Sequence, residues 1–341
     1  MNYNLLIDNI LSNSRASKDE ILELFQDSAK DDLFFRANKV KEENFGKDII
    51  LRGIVEFSNY CRCSCSYCGL YEGNKELERF RFSVDEIVSY AQEAFQAGYK
   101  SIILQSGEDL HFNADLMSEA IKRIKALGDL SLTLSIGERP REEYKQWFKD
   151  GADRYLLKHE TADESLYNKL HPHSNFQKRL GYLNSLKEIG YETGSGFMVG
   201  LPGQTTESLA DDILLLKELE LDMAGIGIFI SHPGTPLVGS ESGSPLDALK
   251  CVAITRLLLN MCHLPSTTSV EVGSSEKYTP LNCGANVIMK KVEPYKYRKL
   301  YEIYPNNKIA DKTIKDERDE LVDYIHSVGL TVSSKKGLTS C

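Results

Sequence analysis

From Asp48 onward, short β-branched apolar runs alternate with helix-period segments, and this regular alternation restricts the chain to very few folds. The run DIILRGIVEF, residues 48–57, reads as a first strand that stops just before a group of cysteines. Strand-like segments follow at 100–105, 130–136, 153–157, 192–199, 222–229, 266–271 and 284–289. Helix-like segments lie between them at 84–97, 114–126, 140–149, 175–189, 205–218 and 245–259. Repeated βα units build a parallel sheet, and eight strands is the number that closes a (β/α)8 barrel. The pattern therefore predicts an α/β fold, a TIM barrel over residues 48–305 within a single domain. An N-terminal helical extension (1–47) precedes it, and a C-terminal helix and tail (306–341) follow. In the extension Leu5, Leu6, Ile10 and Leu11 recur at helical spacing, and Ser17 to Glu20 has the form of a capping box. The C-terminal helix is expected to close at Gly329 and to leave a polar, mobile end.

Composition narrows the partners. The formal net charge is −9, from 41 Lys plus Arg against 50 Asp plus Glu, and no basic run is long enough to follow a phosphate backbone, which argues against nucleic acid. The first twenty residues mix Asp, Asn and Ser into the apolar positions, unlike a secretory signal. No apolar stretch is long enough to span a membrane, so a cytoplasmic protein is expected.

Four of the eight cysteines crowd into residues 61–68, a density that indicates metal before disulfide. Cys61, Cys65 and Cys68 have the spacing Cys-x3-Cys-x2-Cys. Three thiolates can hold three irons of a 4Fe-4S cube, leaving the fourth iron to an exogenous ligand. The alternative is structural zinc, but zinc normally takes four ligands and no nearby His pair or Cys-x2-Cys completes such a set. Cys63 lies between the three, and in an extended loop its side chain is expected to point away from its neighbours as a bystander. Strong turn chemistry recurs after proposed strands, at Ser106-Gly107-Glu108-Asp109, Gly200-Leu201-Pro202-Gly203 and Ser231–Pro236. That is the barrel end where active sites are built.

The cysteine spacing resembles that of the radical S-adenosylmethionine (SAM) superfamily, in which the open iron binds the amino and carboxylate groups of SAM. An electron from the cluster then cleaves the sulfonium to a 5'-deoxyadenosyl radical. The segments RGIVEFSNYC, CGL, ILQSGED, GADRYLL, HET, GYETGSG, MVGLPGQT and CGANVIM together resemble the FeFe-hydrogenase maturase HydE family, from about residue 48 to about 305. The resemblance implies Cys61, Cys65 and Cys68 as ligands of one 4Fe-4S cluster and places Tyr67 against the adenine. It implies Ser106, Gly107, Glu108 and Asp109 as acceptors for the SAM amino group, and Glu160 as a further SAM ligand. Arg179 is the implied partner of the SAM carboxylate, and Met198 with the Gly200–Gly203 turn the adenine-side wall.

For the substrate, the resemblance implies the hydroxyls of the Pro265–Ser269 segment, Thr267 and Thr268 in particular, together with Tyr297 and positive charge from Arg139 or Arg141. Lys158 and His171 depart from the family pattern by standing where arginines are expected, as does Leu110, which replaces a proline. Unlike some members, the C-terminal region from Lys308 to Ser340 has no second cysteine group. The implied substrate is a cysteine-ligated iron species carrying carbon monoxide and cyanide, made by a companion maturase. The radical attacks its sulfur, and an external donor such as flavodoxin or ferredoxin supplies the electron. The rivals are a mutase similar to methylornithine synthase, for which Glu271 offers an acidic residue, and a non-catalytic Fe-S or zinc protein.

Overall fold

Helix-period apolar residues at the N-terminus form α1 (Tyr3–Asn13), α2 (Lys18–Leu24) and α3 (Lys30–Phe45) in the computed structural model, which describes residues 2–267, 269, 279–305 and 312–337. Ser17 and Glu20 make the reciprocal capping box that starts α2. From these helices Ile7, Ile10, Ile21, Leu24, Leu33 and Phe34 turn inward and join the main core.

The barrel strands are β1 (Asp48–Ser58), β2 (Ser101–Ser106), β3 (Ser131–Ser135), β4 (Arg154–Leu156), β5 (Glu192–Ser195), β7 (Met223–Ala224), β9 (Pro265–Ser266) and β10 (Val287–Lys291). All run parallel, in the order β7-β5-β4-β3-β2-β1-β10-β9. A parallel bridge between Met223 and His263, just before β9, joins the two ends. Ala224 N–H donates to His263 O at 3.0 Å and His263 N–H to Asp222 O at 2.8 Å, so the eight strands close as expected. Outside them lie α4 (Val84–Gln96), α5 (Ala114–Lys125), α6 (Arg141–Asp150), α7 (Glu164–Leu170), α8 (Phe176–Ile189), α9 (Thr206–Glu218) and α10 (Pro245–Leu258).

Side-chain alternation along β1 fixes what the barrel holds. Val55 and Phe57 pack in the apolar shell, and a Cβ built on Gly53 would meet Ala94 of α4. These residues face the helices, so the period of two sends Arg52, Ile54, Glu56 and Ser58 to the interior. Lower in the barrel, Arg154 is fully buried and donates to Glu192 at 2.9 Å and to the hydroxyls of Ser101 and Ser131.

Three expectations about elements change. The strands expected at 192–199 and 222–229 are each divided, and their distal parts, β6 (Met198–Val199) and β8 (Gly227–Ile228), pair separately. The break falls where the backbones touch, since a Cβ on Gly196 (φ +155°) would stand 2.1 Å from Gly225 O. Of the strand expected at 266–271, β9 covers only Pro265–Ser266, and Thr268 and Glu271 lie outside the described residues. Nor is the end after Gly329 loose as far as Gly337. Beyond α11 (Tyr295–Arg298) and α12 (Ile314–Ser327), β11 (Thr331–Val332) pairs with Asp48–Ile49, and Arg154 donates to the carbonyls of Lys336 (2.8 Å) and Gly337 (2.7 Å). A buried guanidinium needs acceptors, and the tail supplies two.

Candidate active site

The cysteine loop leaves the end of β1 and is held mainly by backbone acceptors. Arg79 donates to the carbonyls of Asn59, Leu70, Tyr71 and Asn74 at 2.5–3.2 Å, clamping the loop from both sides. Asn59 adds three bonds, to Glu78 O, Leu300 O and Phe80 N–H. Inside this frame Cys61, Cys65 and Cys68 are free, half-buried thiols. The N–H groups of Cys63 and Glu108 point at Cys61 Sγ, at 3.4 and 3.3 Å. The hydrogen bond with Cys63 and then burial push Cys61 up, and burial pushes Cys68 up to about 12. Without metal the Cys61 and Cys68 thiols stay protonated, so loading them releases protons.

Cys63 corrects an expectation. It is 6% exposed, and its thiol is in hydrogen-bond contact with those of Cys61 and Cys65 and not turned away from them. The loop is folded back, with Glu72 N–H donating to Cys63 O at 2.9 Å, so the alternation of an extended segment does not apply.

Ser106, Gly107, Glu108 and Asp109 lie against the cysteine loop, but neither carboxylate offers a vacant acceptor face. Glu108 Oε1 pairs with Arg62 (2.7 Å to Nε) and Oε2 accepts from Glu138 N–H at 2.7 Å. Asp109 accepts from Arg81 at 2.6 and 3.0 Å, from Ser58 Oγ at 2.7 Å and from His111 N–H at 3.1 Å. Burial opposes ionisation of Asp109, but Arg81, Ser58 and His111 together hold its carboxyl below the usual range. Both carboxylates are thus fasteners, and Ser106 Oγ donates to Gly107 O at 2.6 Å. Arg139 is likewise structural: 2% exposed, paired with Glu143 at 2.7 Å, donating to Phe112 O at 2.9 Å, and stacked over Trp147. Those partners commit its guanidinium to neighbouring protein groups.

Across from the thiols, Tyr67 packs with Met198, Leu201, Phe229, Leu166 and Leu170 in a small apolar cluster separate from the main core. Tyr67 OH meets His171 Nε2 at 2.8 Å, and His171 stacks on Tyr167 with ring centres 4.1 Å apart. Burial drives His171 down to about 3, so it is a neutral ring and not a substitute for an arginine. Because the folded chain binds fewer protons than the unfolded chain between pH 3 and 6.5, His171 makes stability rise with pH through that window and fall on acidification. His171→Gln is expected to flatten that dependence by up to about 1.4 kcal/mol per pH unit. Urea unfolding across the window measures it, and an unchanged slope would contradict the assignment.

Glu160 is the unusual residue of this wall. Its backbone sits at φ +64°, a region that costs a non-glycine residue about 1–3 kcal/mol. Its Oε2 is buried without a hydrogen-bond partner, and Lys158 Nζ stands 3.6 Å away, too far to bond. Arg179 lies beside it, donating to Glu138 Oε1 at 2.9 Å and to Lys158 O at 2.7 Å. Glu138 therefore already occupies part of the guanidinium expected to meet a carboxylate.

In the interior, Thr267 Oγ1 donates to Ile226 O at 3.0 Å, and Ser269 Oγ accepts from Ile228 N–H at 3.1 Å. Tyr297 does not reach this region, since its ring packs on Phe80 and Phe82 at 5.0 and 4.7 Å. Tyr301 does: it is buried, bonded to the Gln105 side chain, and close enough to Glu56, Cys68 and Cys61 to feel their charge. The sequence reading also missed Arg52, Glu56, Lys291 and Glu293. Lys291 Nζ is 2.7 Å from Glu56 Oε2, and Glu56 N–H donates to Glu293 at 3.2 Å. Arg52 donates to Met223 Sδ at 2.9 Å, while its Nε and Nη2 are buried without partners. The available signal was charge at alternate positions of an otherwise apolar parallel strand, where uninterrupted apolar sequence is the rule.

A cysteine triplet on the loop after the first strand of a parallel barrel, walled by the loops of later strands, defines a radical SAM enzyme. Residues 55–216 match the family model of the Radical SAM superfamily. The chain is 49% identical over 274 residues to the FeFe-hydrogenase maturase subunit HydE of Thermotoga maritima, spanning 80% of this chain and 78% of that protein, and it belongs to the HydE family. It is 29% identical to 3-methylornithine synthase of Methanosarcina acetivorans, over 82% of this chain and 81% of that protein. The crystal structure of methylornithine synthase (PylB) shares the fold with a TM-score of 0.81 at 23% identity, over 96% of this chain and 97% of that one. HydG from Carboxydothermus hydrogenoformans shares it with a TM-score of 0.79 at 23% identity, over 99% and 82%. A 4Fe-4S cluster and SAM accompany this family. Among the described residues, no helix is long and apolar enough to cross a membrane.

Proposed function

We propose that the chain holds one 4Fe-4S cluster through Cys61, Cys65 and Cys68, binds SAM at the remaining iron, and acts in FeFe-hydrogenase maturation. The substrate in this reading is a small cysteine-ligated iron species carrying carbon monoxide and cyanide. The donor set fits the cluster: three free thiols share one clamped loop, N–H groups already point at Cys61 Sγ, and Gly107 presses on that cysteine with no room for a side chain.

Bound there, cluster and SAM supply a 5'-deoxyadenosyl radical when an external donor such as flavodoxin or ferredoxin provides the electron. The chain's own residues bind, orient and exclude water. Tyr67 and Met198, with Leu201, give the adenine an apolar wall. Glu160 offers its unpartnered oxygen to a donor of the ligand, and Arg179 its remaining N–H groups to a carboxylate. Ser106, Gly107, Glu108 and Asp109 act by fixing the cysteine loop, with backbone and not carboxylate facing the ligand.

Arg52 carries the substrate reading. A buried cation inside the barrel with two unpartnered N–H-bearing nitrogens is costly unless an anion visits it. Cyanide ligands and a cysteine carboxylate meet that requirement. The reconstituted protein is expected to support maturation of apo-hydrogenase with the companion maturases. Arg52→Met should lower that activity at least about tenfold, or ~1.4 kcal/mol, without lowering Tm, because an apolar replacement removes an unpaired buried charge. Failure of the wild type to support maturation, or an Arg52→Met variant as active as wild type, would overturn the substrate reading.

A further inference from the structure

Two walls of the proposed SAM site, the Glu160 corner and the Met198–Leu201 turn, come from different βα units, and one buried carboxylate joins them. Asp212 on α9 is fully buried. Its Oδ1 accepts from Ala162 N–H, two residues past Glu160, and faces His159 Nε2 at 3.5 Å. On its other ring nitrogen, Nδ1, His159 meets Ser195 Oγ at 3.0 Å, while the His159 N–H donates to that hydroxyl at 2.9 Å. His159, Ser195 and Asp212 are all 0% exposed, so the whole chain of contacts is dry.

The second oxygen serves the other wall. Asp212 Oδ2 accepts from Gln204 Nε2 at 3.2 Å, and the same amide donates to Met198 O at 2.9 Å. Its Oε1 accepts from Gly200 N–H at 2.7 Å and Leu201 N–H at 3.2 Å. Gln204 is thereby held in one orientation, its nitrogen between two acceptors, Asp212 Oδ2 and Met198 O, and its oxygen on the turn. Met198 N–H closes the circuit by donating to Glu160 O at 3.1 Å.

Building on the SAM assignment above, we infer that Asp212 is a positioning residue that holds Glu160 in its left-handed conformation and keeps the Met198–Leu201 wall in register with it. It touches neither the thiols nor the ligand, and acts through Gln204, Ala162 and His159. Asn at this position cannot accept at both ends. With Oδ1 kept for Ala162, its amide nitrogen opposes Gln204 Nε2, so two buried donors face each other and the link from Asp212 to Gln204 and its wall is broken.

The test is SAM binding and turnover on the anaerobically reconstituted holoenzyme, with iron content and the reduced-cluster EPR signal recorded in parallel. For Asp212→Asn we expect the Kd and KM for SAM to rise at least about tenfold, an effect of the size seen when a supporting shell is removed. Iron content should match wild type, and kcat at saturating SAM should lie within about threefold of it. Gln204→Ala, on the more open turn, should give a similar rise, and the double variant no further rise, since both act through one network. Wild-type SAM affinity in both single variants, or additive effects in the double variant, would overturn the inference. A fall in kcat with KM unchanged would overturn it too. A wild-type holoenzyme that binds no SAM would instead remove the SAM assignment, and this inference with it.

Discussion

Cys68→Ala abolishes reductive SAM cleavage in the outcome expected here, while Cys63→Ser retains it. Losing a residue that merely supports a metal ligand costs about 10–100-fold, so loss of a ligand should cost more than about 100-fold in 5'-deoxyadenosine formed under strong reductant. Iron and sulfide bound after anaerobic reconstitution should fall with it. The contrast with Cys63 makes the prediction sharp, because its thiol touches those of Cys61 and Cys65 and is the more buried of the group. Proximity alone would admit it as a ligand. If Cys63→Ser lost its iron and Cys68→Ala kept it, the ligand assignment would have to be redrawn around Cys61, Cys63 and Cys65.

Gly107→Ala is the second large effect, and it involves no ligand. Gly107 follows β2 and lies flat on the cysteine loop, where its N–H donates to Ser58 O at 3.0 Å. An added Cβ would stand 2.2 Å from Tyr60 O and 2.8 Å from Cys61 Cβ. Neither contact is with the free end of a flexible side chain, so the loop or the turn has to move. A displacement of about 1 Å at a reacting geometry can cost about 100-fold in rate, and a drop of that order in SAM cleavage is expected. The cluster's EPR signal should change as well, since Cys61 is the residue pushed. Unaltered turnover in Gly107→Ala would show that the turn and loop are looser than their contacts indicate.

The eight-strand rhythm, the Cys61, Cys65 and Cys68 spacing and the glycine turns were legible because each is a local rule: strand period, ligand spacing, and backbone that must approach closely. Interior chemistry was less legible. Arg52 and Glu56 look like interruptions of a strand until closure of the barrel places them opposite Met223 and Lys291. Tyr297 and Tyr301 are four residues apart, yet one packs against Phe80 and Phe82 while the other reaches Gln105.

The family resemblance assigns Glu108, Asp109 and Arg139 to ligands, whereas their contacts here are with Arg62, Arg81 and Glu143. A carboxylate's role depends on whether a cation has already taken it, and Arg81 and Arg62 arrive from the loop that follows β1. Glu160 shows the converse, since its buried oxygen without a hydrogen bond and its left-handed backbone appear only once β5, β6 and α9 are assembled around it. The sequence by itself determined the barrel, the three thiols and the chemistry they can support, because periodicity and spacing act over a few residues. Which charged groups are spent on the scaffold and which are left for a ligand was decided by tertiary structure alone, because a buried ion's partners come from strands and loops far apart in the chain.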